Sequence, residues 1–182
     1  MIVQPTIETF LAAARQALAS ASPQRAMRAL LDATVEALST RPCRWIEHEG
    51  DEMLLASAPD MTVYHIALSA GVHYPPHDHR VPAMIGLYQG TETSFSYRRN
   101  GMALVRTGRH DHAAPCVASL PADAIHSVVN MGAVRSGAIH VYFGDLANVE
   151  RSIWDSDLRE ERRFDNGFYF EQARRLDAST HS

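Results

Sequence analysis

A chain of 182 residues, 46% of them hydrophobic and 21% charged, has room for one domain with a sizeable core. Its 17 basic and 21 acidic side chains give a net charge of −4 without a long block of either sign, which argues against a nucleic-acid footprint but leaves room for a small anion held by one arginine. No apolar run approaches the roughly 20 residues of a membrane span, and the opening MIVQPTIETF lacks the basic and apolar regions of a secretory signal. Cys43 and Cys116, with no CxxC spacing, are too few for a disulfide framework and read as small buried apolar residues. A cytoplasmic, reducing setting is expected, with neither nucleic acid nor membrane as a partner.

Residues 6–40 predict two helices. Phe10, Leu11, Ala14 and Leu18 fall at helical spacing, and the pattern restarts after Ser22-Pro23, an N-cap followed by proline at the first helical position, with Leu30, Leu31, Val35 and Leu38 as the buried stripe. From residue 43 to about 146 short runs rich in β-branched and aromatic residues alternate with Gly, Pro, Asn and Asp: MTVYHIALS, AMIGLYQG, TETSFSYRR, GMALVRTG, CVASLP, AIHSVVNMG and GAIHVYFGD. Strands at that spacing predict a β-sandwich or barrel. Residues 147–182 are charged and then faintly helical, and are expected to pack their aromatic side chains on the barrel exterior. The organisation is thus 1–42 helical, 43–146 barrel and 147–182 extension, in a single domain.

The stretch GVHYPPHDHRVPAMIGLYQG, residues 71–90, concentrates His73, His77 and His79 around a Pro-Pro pair. On a strand, residues i and i+2 face the same side, so His77 and His79 would project together, as chelation of one ion from one strand requires. The competing reading is a polar turn entering a strand. A third ligand has to come from a neighbouring strand, and LPADAIHSVVN offers His126 at the start of a β run. HDH recurs at 110–112 without flanking β-branched residues, which reads as a surface loop, with adventitious metal binding by His110 and His112 as the sharper alternative, and His65 reads as structural.

Gly71, His77-x-His79 and Gly90, followed by Pro121-x-Asp123-x-x-His126-x-x-x-Asn130, resemble the two motifs of the cupin superfamily over about half the chain. The resemblance implies a mainly β fold, a double-stranded β-helix or jelly-roll barrel, with the helical segment attached at the N-terminus. The glutamate that many cupins carry four or five residues after the histidine pair is replaced by Ala83 and Met84, as in three-histidine, cysteine-dioxygenase-like thiol dioxygenases. AIHVY, residues 138–142, is similar to the segment of those enzymes in which Ser, His and Tyr alternate near the metal, with Ala138 in place of the Ser. By alternation Ala138, His140 and Tyr142 share one face. Met84 stands where animal cysteine dioxygenases have the Cys of a thioether crosslink, so no crosslink to Tyr142 is expected. The arginine those enzymes use to clamp a substrate carboxylate has no counterpart in DEMLLASAPDMTVYHIALS, residues 51–69.

The resemblance thus implies a site with His77, His79 and His126 as metal ligands and His140 and Tyr142 beside them in catalysis. Arg80 and Arg98 are candidates for substrate binding; Arg98 and Arg99 alternate in face, so at most one of them can point inward. Three neutral imidazoles leave coordination positions open and do not cancel the charge of a bound Fe(II), which favours an anionic donor such as a thiolate. The leading expectation is a mononuclear iron dioxygenase that takes a small thiol or other small anion together with O2. The alternatives are carbon–carbon bond dioxygenation, Lewis-acid chemistry with Zn(II) or Ni(II), or a non-catalytic cupin that binds a metal or small ligand; Mn(II) is a further candidate ion.

Overall fold

Two capped helices open the described part of the chain. The computed structural model describes residues 5–40, 46 and 48–175. Helix α1 (Ile7–Leu18) starts at Thr6, whose hydroxyl accepts the Thr9 N–H at 3.2 Å while the Thr9 hydroxyl accepts the Thr6 N–H at 2.8 Å. This reciprocal pair satisfies donors that a helix start otherwise leaves open. Helix α2 (Pro23–Ser39) has proline in its first turn, where no N–H is needed; Ser22 holds the N-cap position without a side-chain hydrogen bond. Phe10 and Ala14 of α1 and Met27, Leu31, Val35 and Leu38 of α2 form one core with the outer face of a β-sheet. Gly86 lies beneath α2. A Cβ there would come within 2.9 Å of Val35 Cγ1 and 3.1 Å of Leu31 Cδ2, so this close approach uses the missing side chain.

The remainder is antiparallel β. One sheet has five strands in the order β1 (Glu52–Ala58), β2 (Met61–Ile66), β9 (Gly137–Tyr142), β4 (Ala83–Gln89), β7 (Cys116–Leu120). The other has β11 (Glu161–Arg163), β10 (Ser152–Trp154), β3 (Val72–Asp78), β8 (Ile125–Val129), β5 (Thr91–Asn100) and β6 (Ala103–Ala113), with β12 (Arg174–Arg175) paired to β3. This is the expected fold class: mainly β, two antiparallel sheets facing each other as a jelly-roll barrel, with an N-terminal helical segment. The outer face of the first sheet packs on the helices through Met61, Val63, Met84, Ile139 and Val141, and alternation turns their neighbours inward. Met84 therefore sits in the helix-facing core while Tyr142 belongs to an inner cluster with Ala83 and Leu146.

Two regions differ from expectation. The HDH stretch is not a surface loop: β6 runs through it to Ala113, held by register pairs Glu92–His112, Thr93–Asp111 and Ser94–His110. Cross-strand pairing over a long hairpin outweighs the low β-propensity of these residues. The C-terminal segment, for its part, adds β10, β11 and β12 to the second sheet; a short helix α3 (Asn166–Glu171), capped by Asp165, lies between the last two. No helix among the described residues is long and apolar enough to cross a membrane. Cys43 and the boundary expected at 42–43 lie outside the described residues.

Candidate metal centre

The Pro75-Pro76 pair explains the local course of β3. Proline donates no ladder hydrogen bond, and the register with β8 shifts between Tyr74 and His77. After the shift His77 stands opposite His126, and Ile153 of β10 flanks His77 on the other side. His79 follows two residues on, facing the same interior.

The three imidazoles converge. Nε2 of His77 lies 3.1 Å from Nε2 of His79, which lies 3.5 Å from Nε2 of His126, and all three residues are buried. His77 Nδ1 is 3.0 Å from the Pro75 carbonyl, a contact that assigns the ring proton to Nδ1 and leaves a lone pair on Nε2. Burial, with repulsion from the neighbouring rings, holds His77 and His79 well below the usual histidine range and burial pushes His126 down to about 4, so all three are neutral at pH 7. Neutral nitrogens meeting at hydrogen-bond distance with few protons between them form a cation site. Ligands about 2.1 Å from one ion are separated by about 3.0–3.4 Å, close to the distances observed. Among the described residues this is the one cluster whose ligand atoms converge within 4.8 Å, and no carboxylate belongs to it.

Around the cluster is a cavity of about 60 Å³. His140 and Tyr142 project into it from β9; His140 Nδ1 is 3.2 Å from the Tyr142 hydroxyl, and the Tyr142 ring packs edge-on to His79 at 4.8 Å between centroids. Burial pushes His140 down to about 3 and raises the Tyr142 phenol, so the pair is a neutral imidazole beside a protonated phenol. His140 Nε2 is buried without a hydrogen-bond partner among the described residues, as is His126 Nδ1.

The proposed arginines lie elsewhere. Asp78 alternates with the ligating histidines; its carboxylate is 2.8 Å from Arg80 Nε and 3.5 Å from Arg99 Nη2, and it accepts the Ser152 N–H at 2.7 Å. Arg98 is exposed, and neither it nor Arg80 lines the metal cavity. The guanidinium that does line it belongs to Arg151, at the foot of β10. Its Cζ stands 3.3 Å from the centre of the Phe164 ring, and its guanidinium makes no hydrogen bond or ion pair with the described residues. Desolvation lowers its pKa, yet so strong a base stays charged.

Phe164 and Tyr169 close the cavity. Tyr169 packs edge-on to His77 at 5.3 Å and stacks on Tyr74 at 5.6 Å. Glu52 completes the rim, hydrogen-bonded at 3.3 Å to Asn166, with its pKa raised by burial. Sequence reasoning missed Arg151, Phe164, Tyr169 and Glu52. A faint signal is Ile153-Trp154 in RSIW, a β-branched and aromatic pair of the kind enriched in strands.

Outside the cavity His73 binds the Ser127 hydroxyl at 2.9 Å, and His65 bridges His48 and the Tyr88 hydroxyl at 2.7 and 2.8 Å.

No family model and no curated protein matches the sequence. Solved structures similar to it include oxalate decarboxylase from Bacillus subtilis at pH 4.6, 18% identical with a TM-score of 0.45 over 55% of this chain and 27% of that one. A second structure of the B. subtilis enzyme, from work on its Mn(II) centres, is 17% identical with a TM-score of 0.46 over 58% of this chain and 28% of that one. An RmlC-like cupin with a double-stranded β-helix fold from Methanocaldococcus jannaschii is 12% identical with a TM-score of 0.45 over 56% of this chain and 88% of that one. The chain spans about a quarter of the length of the oxalate decarboxylases it matches.

Proposed function

We propose that this protein is a mononuclear non-haem iron dioxygenase that converts a small thiol carboxylate to its sulfinate. The observation that carries the reading is the unpaired Arg151 guanidinium, set in the same small cavity as three neutral histidine nitrogens and a phenol. A half-buried arginine that no carboxylate contacts directly, Glu52 acting on it only through space, is left for an anion to complete, and a guanidinium fork matches a carboxylate. The histidine cluster asks for a cation, and with no carboxylate ligand that cation would favour a second anionic donor such as a thiolate.

His77, His79 and His126 would hold the ion. Bound Fe(II) would supply the redox chemistry that joins both atoms of O2 to sulfur, with the balance RS⁻ + O2 → RSO2⁻. Arg151 binds the substrate carboxylate and so fixes the sulfur end toward the histidines. Tyr142 keeps its phenolic proton, oriented by His140, and presents a hydrogen-bond donor to oxygen as charge accumulates there. Phe164 and Tyr169 exclude bulk water from the reacting groups.

Oxygen uptake tests the reading. Protein reconstituted with Fe(II) should consume O2 with cysteine or 3-mercaptopropionate and give the sulfinate, and should do so far more slowly with cysteamine, which lacks the carboxylate. No thiol-dependent uptake at confirmed iron occupancy would move the balance to carbon–carbon cleavage or Lewis-acid chemistry at the same histidines.

A further inference from the structure

The barrel contains a second and larger cavity, about 480 Å³, on the far side of His126 from Arg151. Its floor is apolar, with Ile85, Leu87, Ala118 and Leu120, while β6 contributes His110 and His112 and the start of β7 contributes Cys116. The two strands are the terminal strands of their respective sheets, so this is the edge at which the two layers are not joined by a ladder.

His112 and Cys116 meet across that edge. Nδ1 of His112 lies 3.8 Å from Cys116 Sγ, long for a hydrogen bond from a thiol but close to the roughly 3.6 Å that separates nitrogen and sulfur ligands on one tetrahedral ion, with bonds of about 2.05 and 2.3 Å. His110 is two residues before His112 on the same face of β6, the spacing by which His77 and His79 form a pair. It is exposed and lines the same cavity, its ring lying over Gly108 with Nε2 3.2 Å from where a Cβ of that glycine would stand, so closing a third position would require this side chain to turn. Asp111 faces the other way, held by Thr93 at 2.6 Å and Arg109 at 3.0 Å, so it does not compete.

We propose that His112 and Cys116, with His110 closing a third position, form a second metal site that takes a thiophilic cation such as Zn(II) and clasps the open edge between the two sheets. A thiolate with two imidazoles is a soft-to-borderline donor set, distinct from the all-imidazole set at His77, His79 and His126. The two sites lie on opposite sides of His126, and this one does not depend on the reaction proposed above.

Cobalt distinguishes them, because only this donor set contains sulfur. Reduced, metal-free protein titrated with Co(II) should bind two equivalents, one of them with thiolate-to-cobalt charge-transfer absorption in the near ultraviolet. Cys116→Ser should lose that absorption and one equivalent while keeping the other, and His112→Ala should weaken the same equivalent tenfold or more. Zn(II) should bleach the band and raise the Tm of the wild-type protein but not of Cys116→Ser. Cobalt binding without thiolate absorption in the wild-type protein, or a band that survives Cys116→Ser, would overturn the proposal.

Discussion

The guanidinium carbon of Arg151 lies 3.3 Å from the centre of the Phe164 ring, so a cation from the foot of one added strand is held against the ring of a residue that follows the next. A cation–π contact anchors the guanidinium without using its N–H donors. Those donors remain for a ligand inside the cavity that also contains the three histidines.

Replacement of Arg151 should therefore act on substrate more than on metal. Arg151→Ala is expected to raise KM for a thiol carboxylate by about 10–100-fold, the loss of a charge-assisted bidentate contact, with iron content unchanged. Arg151→Lys should recover part of the loss, since it restores charge but not the fork. Steady-state kinetics with metal analysis on the same samples check this; an unchanged KM in Arg151→Ala would remove Arg151 from substrate binding.

Tyr142 should behave in the opposite way. Its hydroxyl is 3.2 Å from His140 Nδ1 and its proton is retained, so Tyr142→Phe removes one donor near the reacting atoms and no metal ligand. A fall in kcat of about 10²–10³-fold is expected, the usual cost of losing an oriented donor to developing charge. His140→Ala should lower kcat less, because the phenol survives without its orienting partner. Metal content and KM should stay near wild type in both variants. Loss of iron in Tyr142→Phe would contradict this assignment.

Acid should unfold and empty the site together. His126 and His65 are pushed down to about 4 and His140 to about 3, all chiefly by burial, against an ordinary value near 6.5 in the unfolded chain. A depressed histidine pKa means the unfolded state binds more protons across the window, so stability is complete above about pH 6.5 and is lost as pH falls toward about 4. The same nitrogens must be deprotonated to hold a metal, so release should follow over the same range. Tm measured on the metal-free protein from about pH 7.5 down to about pH 4 should fall progressively; a Tm independent of pH across that interval would show that these rings are not buried neutral in the fold.

Period-two alternation made much of this site legible in the sequence. It placed His77 beside His79 and His140 beside Tyr142; each of these is a local relation along one strand. Arg151 was not legible, because its place depends on β10 pairing with β3 through a single register contact, Ile153 opposite His77, far along the chain. Phe164 and Tyr169 share that cause: they reach His77 only because strands β10 to β12 fold back over it. The HDH stretch misled for a different reason. Its residues have low strand propensity, and the β5–β6 hairpin supplies by cross-strand pairing what the local sequence lacks.

The account rests on one divalent iron ion held by His77, His79 and His126, and iron per chain in wild-type protein and in His77→Ala/His126→Ala measures that directly. Counting iron rather than total metal keeps the thiolate-containing site out of the result, since that donor set favours zinc. Wild-type protein should carry close to one iron after anaerobic reconstitution and removal of excess. The double variant, its barrel intact by circular dichroism, should carry essentially none. Full iron occupancy in the folded double variant would contradict the account.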